Sequence, residues 1–180
     1  MMLKSKLLPD RQVMTLVAAM LSLTSLLGCA SAPEVQRPRE NPEPIVLGLV
    51  DRAVLDLPEH APFKASYDST RVQQEFVGLL HQARGETHWL VFLGTWCGDS
   101  RREVPRFLKI ADSAGIPMDL ITLYGLDRSK KSPDGLEEEY RIEFVPTFVA
   151  LAGGKEIGRI VEKPQVSMEA DMLMILARVR

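Results

Sequence analysis

The sequence predicts an α/β fold in which helices alternate with buried strands. The predicted order is helix, strand, helix, strand, helix, strand, strand, helix, which is typical of parallel strands joined by helices. Two features indicate it: an apolar run at residues 89–93 that leads into a helical pattern, and Gly153-Gly154, a two-residue hairpin signal. With 180 residues, 46% apolar composition and a net charge of −2, one domain with an added segment is expected.

The first 28 residues have the pattern of an export signal. Lys4, Lys6 and Arg11 precede an apolar stretch over residues 13–27. This stretch is too short to span a bilayer, which needs about 20 residues. It ends in Leu-Leu-Gly-Cys, whose cysteine is Cys29. An uncleaved anchor helix and an ordinary secretory signal with a chance cysteine are the alternatives.

The Leu-Leu-Gly-Cys tetrapeptide resembles the lipobox of bacterial lipoproteins. That resemblance implies that residues 1–28 are removed, that the Cys29 sulfur receives a diacylglyceryl group, and that the new amino group is acylated, as with palmitate. Ala30 implies sorting to the outer membrane, facing the periplasm, because Asp is the usual retention signal at that position. Residues 29–44 carry four prolines among charges and are therefore interpreted as an extended tether.

Residues 45–180 are predicted to form the folded domain. Residues 45–67 favour irregular structure with one short strand or helix, because prolines and charges interrupt any period. Asp68 or Ser69 is then the expected N-cap of a helix that reaches Arg84, and Gly85 is its predicted end. The buried strand at residues 89–93 and a helix over about 98–111 follow.

The second half of the domain begins with a strand at residues 118–124 and a turn-rich loop at 127–135. A short acidic helix over 136–141 follows, with Glu137, Glu138 and Glu139 on a solvated face. Strands are predicted at 144–151 and 156–161. Ser167 is the expected N-cap of a last helix with this buried stripe: Met172, Leu173, Ile175, Leu176 and Val179.

Cys97 lies between the apolar run and the helix that follows it. The unpaired amides and the dipole at a helix N-terminus favour an anion, so this position stabilises a thiolate relative to a thiol. A small buried cysteine is the simpler reading. However, Cys97 is flanked by Trp96 and Gly98, and the predicted mature chain has no other free cysteine. Both observations favour a surface thiol.

Together these motifs resemble the thioredoxin superfamily over roughly residues 68–180. Three matches occur in the right order: Trp96-Cys97-Gly98, Val145-Pro146-Thr147 and Gly153-Gly154-Lys155. The resemblance implies a three-layer sandwich, with a central mixed sheet of four to five strands flanked by helices. It also implies that Pro146 is cis and lies against Cys97.

Three departures from the family pattern bear on the chemistry. The resolving cysteine of the family's Cys-x-x-Cys motif is replaced by Ser100, and the buried aspartate that assists it is replaced by Val91. Without a second thiol, no internal dithiol cycle is possible. Asp99 replaces the usual proline and opposes a thiolate, whereas Arg101 and Arg102 can offset it.

Three functions follow from this site. The first is thiol–disulfide exchange through Cys97 alone, in which envelope proteins or small molecules supply the disulfide and the resolving thiol. The second is a redox-inactive module that binds extended peptides in the groove beside Trp96 and Pro146. The third is an iron–sulfur cluster held with glutathione, as in monothiol glutaredoxins, but those proteins have Phe where Asp99 stands.

Other site classes have little support in the sequence. No basic run or basic-aromatic face indicates nucleic-acid binding. His60, His81 and His88 are scattered and predict no zinc set, so each is interpreted as a solvated or capping residue. No cofactor and no metal are therefore predicted.

Overall fold

The computed structural model describes residues 44–179, which fold around one mixed sheet. The predicted signal peptide, Cys29 and the predicted tether up to residue 43 lie outside the described residues. None of the helices within residues 44–179 has the length and apolar character needed to cross a membrane. The predicted α/β class is confirmed.

Five strands and five α-helices occur in the described part of the chain. The strands are β1 (Gly48–Val50), β2 (His88–Leu93), β3 (Ile121–Gly125), β4 (Thr147–Ala152) and β5 (Lys155–Val161). The α-helices are α1 (Ala61–Ser69), α2 (Gln74–Ala83), α3 (Gly98–Ser113), α4 (Leu136–Glu139) and α5 (Met168–Leu176). Short 3₁₀ turns cover Arg52–Asp56, Pro58–His60, Met118–Leu120 and Ala177–Val179.

The sheet order β1-β3-β2-β4-β5 contains a single parallel pair, β2 with β3. The prediction of parallel strands is therefore wrong for β4, which runs antiparallel to β2 and pairs Thr147 with Phe92. The connection from β3 to β4, residues 126–146, leaves and re-enters the sheet at the same end, whereas a parallel strand would require it to cross the length of the sheet. As a result, the first residue of β4 lies beside the carboxyl end of β2.

The segment before β2 holds more structure than predicted. Residues 45–67 contain β1, two 3₁₀ turns and most of α1, because Pro62 occupies the first turn of α1, where proline is tolerated. The predicted N-cap is also wrong. Ser69 lies in the last turn of α1 and its Oγ donates to the Ala65 carbonyl at 2.8 Å. Helix α2 begins at Gln74 instead.

Several local signals are confirmed. Gly85 follows α2 with a φ of +50°, and Gly153 and Gly154 adopt φ of +55° and +75° in the β4–β5 turn, where glycine is favoured. The Oγ of Ser167 accepts from the Ala170 amide at 3.1 Å and caps α5. Strand β4, however, starts at Thr147, and Phe144 is 45% exposed.

The two faces of β2 pack against separate apolar clusters. Trp89, Val91 and Leu93 face the main core, which is built with apolar residues of α1, α2, α3 and α5. Leu90 and Phe92 face a smaller cluster under α4 and the 126–145 segment. On α5, Met172, Ile175 and Leu176 are buried and Leu173 partly so, but the predicted stripe is wrong for Val179, which is 52% exposed.

Two polar predictions are also wrong in part. Glu137 is buried rather than solvated, because its carboxylate accepts from the amide and the hydroxyl of Ser132. Glu138 and Glu139 are exposed as predicted. His60 is buried in edge contact with Phe63. Each of the other two histidines forms a hydrogen bond: Nδ1 of His81 lies 3.0 Å from the Ala114 carbonyl, and Nε2 of His88 lies 2.8 Å from the Thr122 hydroxyl.

Candidate functional site

Cys97 occupies the N-cap position of α3, immediately after the loop that leaves β2. Its amide donates to the Gly94 carbonyl at 2.9 Å, and its carbonyl accepts from the Arg101 amide at 3.0 Å. The residue is partly exposed, so the small buried reading does not hold. Cys97 therefore lies at the positive end of a 16-residue helix, with part of its surface exposed to solvent.

The loop before β4 lies directly against this thiol. The Cys97 Sγ donates to the carbonyl oxygen of Val145 at 3.3 Å. The Val145–Pro146 peptide bond is cis, as the family resemblance implies. Thr147 is buried, and its hydroxyl donates to the Phe144 carbonyl at 2.7 Å, which closes the loop. The antiparallel direction of β4 thus brings the Val-Pro-Thr motif to the site, where Val145 contacts Cys97 directly and Pro146 and Thr147 follow it in the chain.

Trp96 forms one wall of the site. Its indole Nε1 donates to the Leu126 carbonyl at 3.0 Å, and its ring packs with the smaller apolar cluster. Gly94 makes room for the indole, because a Cβ at that position would lie 2.7 Å from the ring. The indole is therefore held by its hydrogen bond to Leu126 and by close contact of its ring with the backbone of Gly94.

Ser100 supports the loop and is buried. Its Oγ accepts from the Gly94 amide at 3.1 Å. Val91, at the position of the family's buried aspartate, is fully buried among apolar side chains of the main core. Within residues 44–179, Cys97 is the single cysteine, so this part of the chain contains no resolving thiol for it.

The charges at the start of α3 are arranged in pairs. Asp99 is bound by Arg102 at 2.6 Å, and Arg102 also reaches Glu103 at 2.7 Å. Arg101 turns its Nε to the Thr95 carbonyl at 2.8 Å. Gly98, the first residue of α3, is exposed and has no side chain that could cover the start of the helix. The negative charge of Asp99 is therefore offset by Arg102, one of the two arginines expected to do so.

Some residues of the site were not identified from the sequence. Arg128 lies over the Trp96 ring, 5.5 Å from its centroid, and Lys130 lies 5.5 Å from the Phe144 ring. Both belong to the polar loop predicted at 127–135, whose charges were the available signal. Among the described residues, no three His, Cys, Asp or Glu side chains are grouped so as to hold a metal ion.

Comparison with known proteins agrees with this architecture. A family model described as thioredoxin matches residues 58–174, and the chain therefore belongs to the thioredoxin family. It is 31% identical over 86 residues to thioredoxin H2-2 of rice (Oryza sativa subsp. japonica), covering 48% of this chain. It is 26% identical over 82 residues to thioredoxin-like protein R548 of Acanthamoeba polyphaga mimivirus, covering 46% of this chain.

These similarities have limited extent. The chain spans 60% of the length of the rice protein and 57% of the length of the mimivirus protein. A solved structure of a protein of unknown function from Pseudomonas aeruginosa superposes with a TM-score of 0.47 at 18% identity, covering 66% of this chain and 80% of the other. The family assignment thus rests on the family model, and the activity is a separate question.

Proposed function

We propose that this protein is a lipid-anchored thioredoxin-family protein that carries out thiol–disulfide exchange through Cys97 alone. The observation that carries the proposal is the placement of one partly exposed thiol at the N-terminus of α3, 3.3 Å from the Val145 carbonyl. The buried Ser100 hydroxyl is already bound to the Gly94 amide and cannot act as a thiol. A thiol external to residues 44–179 must therefore complete the reaction.

The exchange proceeds in three steps. Cys97 loses its proton to solvent, and the thiolate attacks one sulfur of a substrate disulfide, whose S–S bond breaks as the mixed disulfide forms. The departing sulfur leaves as a thiolate. An external thiolate then attacks the substrate sulfur of the mixed disulfide, Cys97 leaves as a thiolate, and a disulfide forms between the external thiol and that half of the substrate. A second external thiolate displaces the substrate sulfur from this disulfide, so that two external thiols are oxidised to a disulfide and the substrate disulfide is reduced.

The proposed location is the bacterial outer membrane, with the domain in the periplasm. It is supported by the lipobox-like sequence ending at Cys29 and by Ala30. Two or more acyl chains give stable anchoring, at about 0.8 kcal/mol per buried CH₂. The substrates would then be disulfides of envelope proteins or of small molecules in that compartment.

Trapping the mixed disulfide tests the exchange. The full chain, purified from membranes in detergent, is incubated with a small disulfide and analysed by intact-mass spectrometry and non-reducing gels. We expect one adduct that an added thiol removes, and no adduct at this position in Cys97→Ser. A folded wild-type protein that forms no adduct would contradict the proposal and leave the peptide-binding module in its place.

A further inference from the structure

We propose that the disulfides on which Cys97 acts carry anionic groups close to their sulfur atoms, and that Arg128 and Lys130 receive those groups. This inference rests on the exchange function proposed above and specifies its substrate class. It is drawn from two cations at the rim of the thiol site that the exchange mechanism does not use.

The two cations lie on the two walls of the site. Arg128 is stacked over Trp96, the residue before Cys97, with 5.5 Å between the guanidinium carbon and the ring centroid. Lys130 lies over Phe144, the residue before Val145, with its Nζ 5.5 Å from the ring centroid. Each cation is thus held by the residue that precedes one partner of the Cys97–Val145 contact in the chain. Contact with an aromatic face orients a cation and leaves its N–H groups available to an anion.

Neither cation is neutralised by a carboxylate within residues 44–179. Arg128 and Lys130 form no ion pair there, whereas Lys131, in the same loop, is bound to Glu138 at 2.6 Å. The nearby acids are engaged elsewhere. Asp134 accepts from the Tyr124 hydroxyl, and Asp127 accepts from the Lys131 amide at 2.8 Å. Arg128 and Lys130 therefore have no carboxylate partner among residues 44–179, although Asp127 and Asp134 of the same loop keep their negative charges.

The loop holds these side chains in place. The Lys130 amide donates to the Asp127 carbonyl at 2.9 Å, and the Asp127 amide donates to the Lys131 carbonyl at 3.0 Å. Lys130 has a φ of +61°, in the left-handed region. An L-residue with a Cβ is strained in this region, and glycine would relieve the strain. Glycine at position 130 would therefore remove the charge and the backbone strain together.

A set of disulfides that differ in charge tests the inference. The probes are dianionic 5,5′-dithiobis(2-nitrobenzoate), neutral 4,4′-dithiodipyridine and dicationic cystamine, each reacted with the full chain under pseudo-first-order conditions. The variant Arg128→Gln/Lys130→Gly removes both charges and places glycine at the left-handed position, which favours folding. Any reaction that persists in Cys97→Ser is subtracted.

At low ionic strength we expect the double variant to slow the dianionic probe by roughly three- to tenfold, to leave the neutral probe unchanged and to accelerate the cationic probe. In 1 M salt, where the Debye length is about 3 Å, these differences should largely disappear. The matched control is Arg84→Gln/Lys155→Gln, which removes two charges at the end of the sheet remote from Cys97, beside the start of β2 and the end of β4. The control should leave all three rates unchanged.

Peptide disulfides with Asp or Asn beside the cysteine identify the source of the anion. If the double variant also slows the Asp peptide relative to the Asn peptide, the anion belongs to an acidic protein segment. If the double variant changes only the rates of the small probes, the anion belongs to a small molecule. If the double variant changes the three small-probe rates equally, or changes none, the charge inference is overturned while the exchange stands. If the folded wild type reacts with none of the probes at Cys97, the proposed exchange itself is contradicted.

Discussion

Ser100 occupies the position at which a dithiol motif carries its second cysteine, and in this protein its hydroxyl holds the active-site loop together. The Gly94 amide donates to its Oγ at 3.1 Å, and the side chain is fully buried. A buried amide that loses its acceptor costs about 1–3 kcal/mol. Ser100 therefore matters to the fold independently of any redox role.

Two substitutions at this residue separate its roles. Ser100→Ala should lower the free energy of unfolding by about 1–2 kcal/mol, because the Gly94 amide is left buried without an acceptor. Urea unfolding of the variant and the wild type measures this. The exchange at Cys97 should survive at temperatures where the variant is folded. An unchanged unfolding midpoint would mean that water replaces the hydroxyl.

Ser100→Cys should create a dithiol that closes to a disulfide and gives measurable reduction of insulin, which the wild type cannot complete by itself. The activity should be partial, since Val91 lies in the apolar core where the family's assisting aspartate would stand. Thiol counting before and after mild oxidation is the direct measurement. Two free thiols after oxidation would contradict the expectation.

At the scale of elements, the first 3₁₀ turn and α1 are fastened to the end of α3 by one carboxylate. Asp112 accepts from Arg52 Nη1 at 2.8 Å and from the Tyr67 hydroxyl at 2.6 Å. Lys109 lies over the Tyr67 ring, 4.4 Å from its centroid. Burial raises the pKa of Asp112, but the hydrogen bonds from Arg52 and Tyr67 outweigh it, so the pKa of Asp112 is lowered.

This cluster predicts a pH-dependent loss of stability. A carboxyl group whose folded pKa is depressed stabilises the fold above its unfolded pKa of about 3.9, and the contribution is lost as pH falls through the folded pKa. Asp112→Asn should therefore cost about 1 kcal/mol at pH 7 and progressively less below about pH 4. Urea unfolding at pH 7, 5 and 3 measures the difference, with the exposed Asp119→Asn as control. If the difference in unfolding free energy between the wild type and Asp112→Asn is the same at pH 7 and pH 3, the effect comes from the changed packing of the side chain and not from its charge.

At the scale of the whole molecule, the described chain begins at the edge of the sheet that carries Cys97. The Thr95 hydroxyl donates to the Pro44 carbonyl at 3.2 Å, and the Val46 amide donates back to Thr95 Oγ1 at 3.3 Å. Gly125 allows this approach, because a Cβ there would lie 2.2 Å from the Val46 carbonyl oxygen. Pro44, the last residue of the predicted tether, and Val46 thus support the loop that presents the thiol.

The anchoring proposal has its own test. Cys29→Ser should release the protein from the membrane fraction or leave it as an unprocessed precursor, because the predicted acyl chains cannot be attached. Fractionation with intact-mass analysis measures both outcomes. Cys97→Ser is the matched control and should remain lipidated and membrane-bound. Unchanged fractionation of the Cys29 variant with normal processing would contradict the lipid anchor.

Short-range signals explain what could be predicted from the sequence. The strand at β2, the start of α3 at Gly98, the turn at Gly153-Gly154 and the Ser167 cap each depend on a few neighbouring residues. Residues 45–73 were predicted poorly, since Pro62 was read as a breaker whereas it lies in the first turn of α1. The sequence predicts a solvated Glu137 and a solvated or capping His60, whereas both side chains are buried. Their contacts with Ser132 and Phe63 lie within five residues along the chain, but the local pattern does not show that packing covers these side chains.

By itself, the sequence determined that one thiol stands at a strand-to-helix junction and that Ser100 stands where a resolving cysteine would. Those are properties of adjacent residues. Only the tertiary structure decided that β4 runs antiparallel to β2, which brings the Val145 carbonyl to the Cys97 sulfur. It also decided that Arg128 lies over the Trp96 ring and Lys130 over the Phe144 ring. The physical reason is that strand pairing and loop closure join residues dozens of positions apart, and no local pattern specifies those partners.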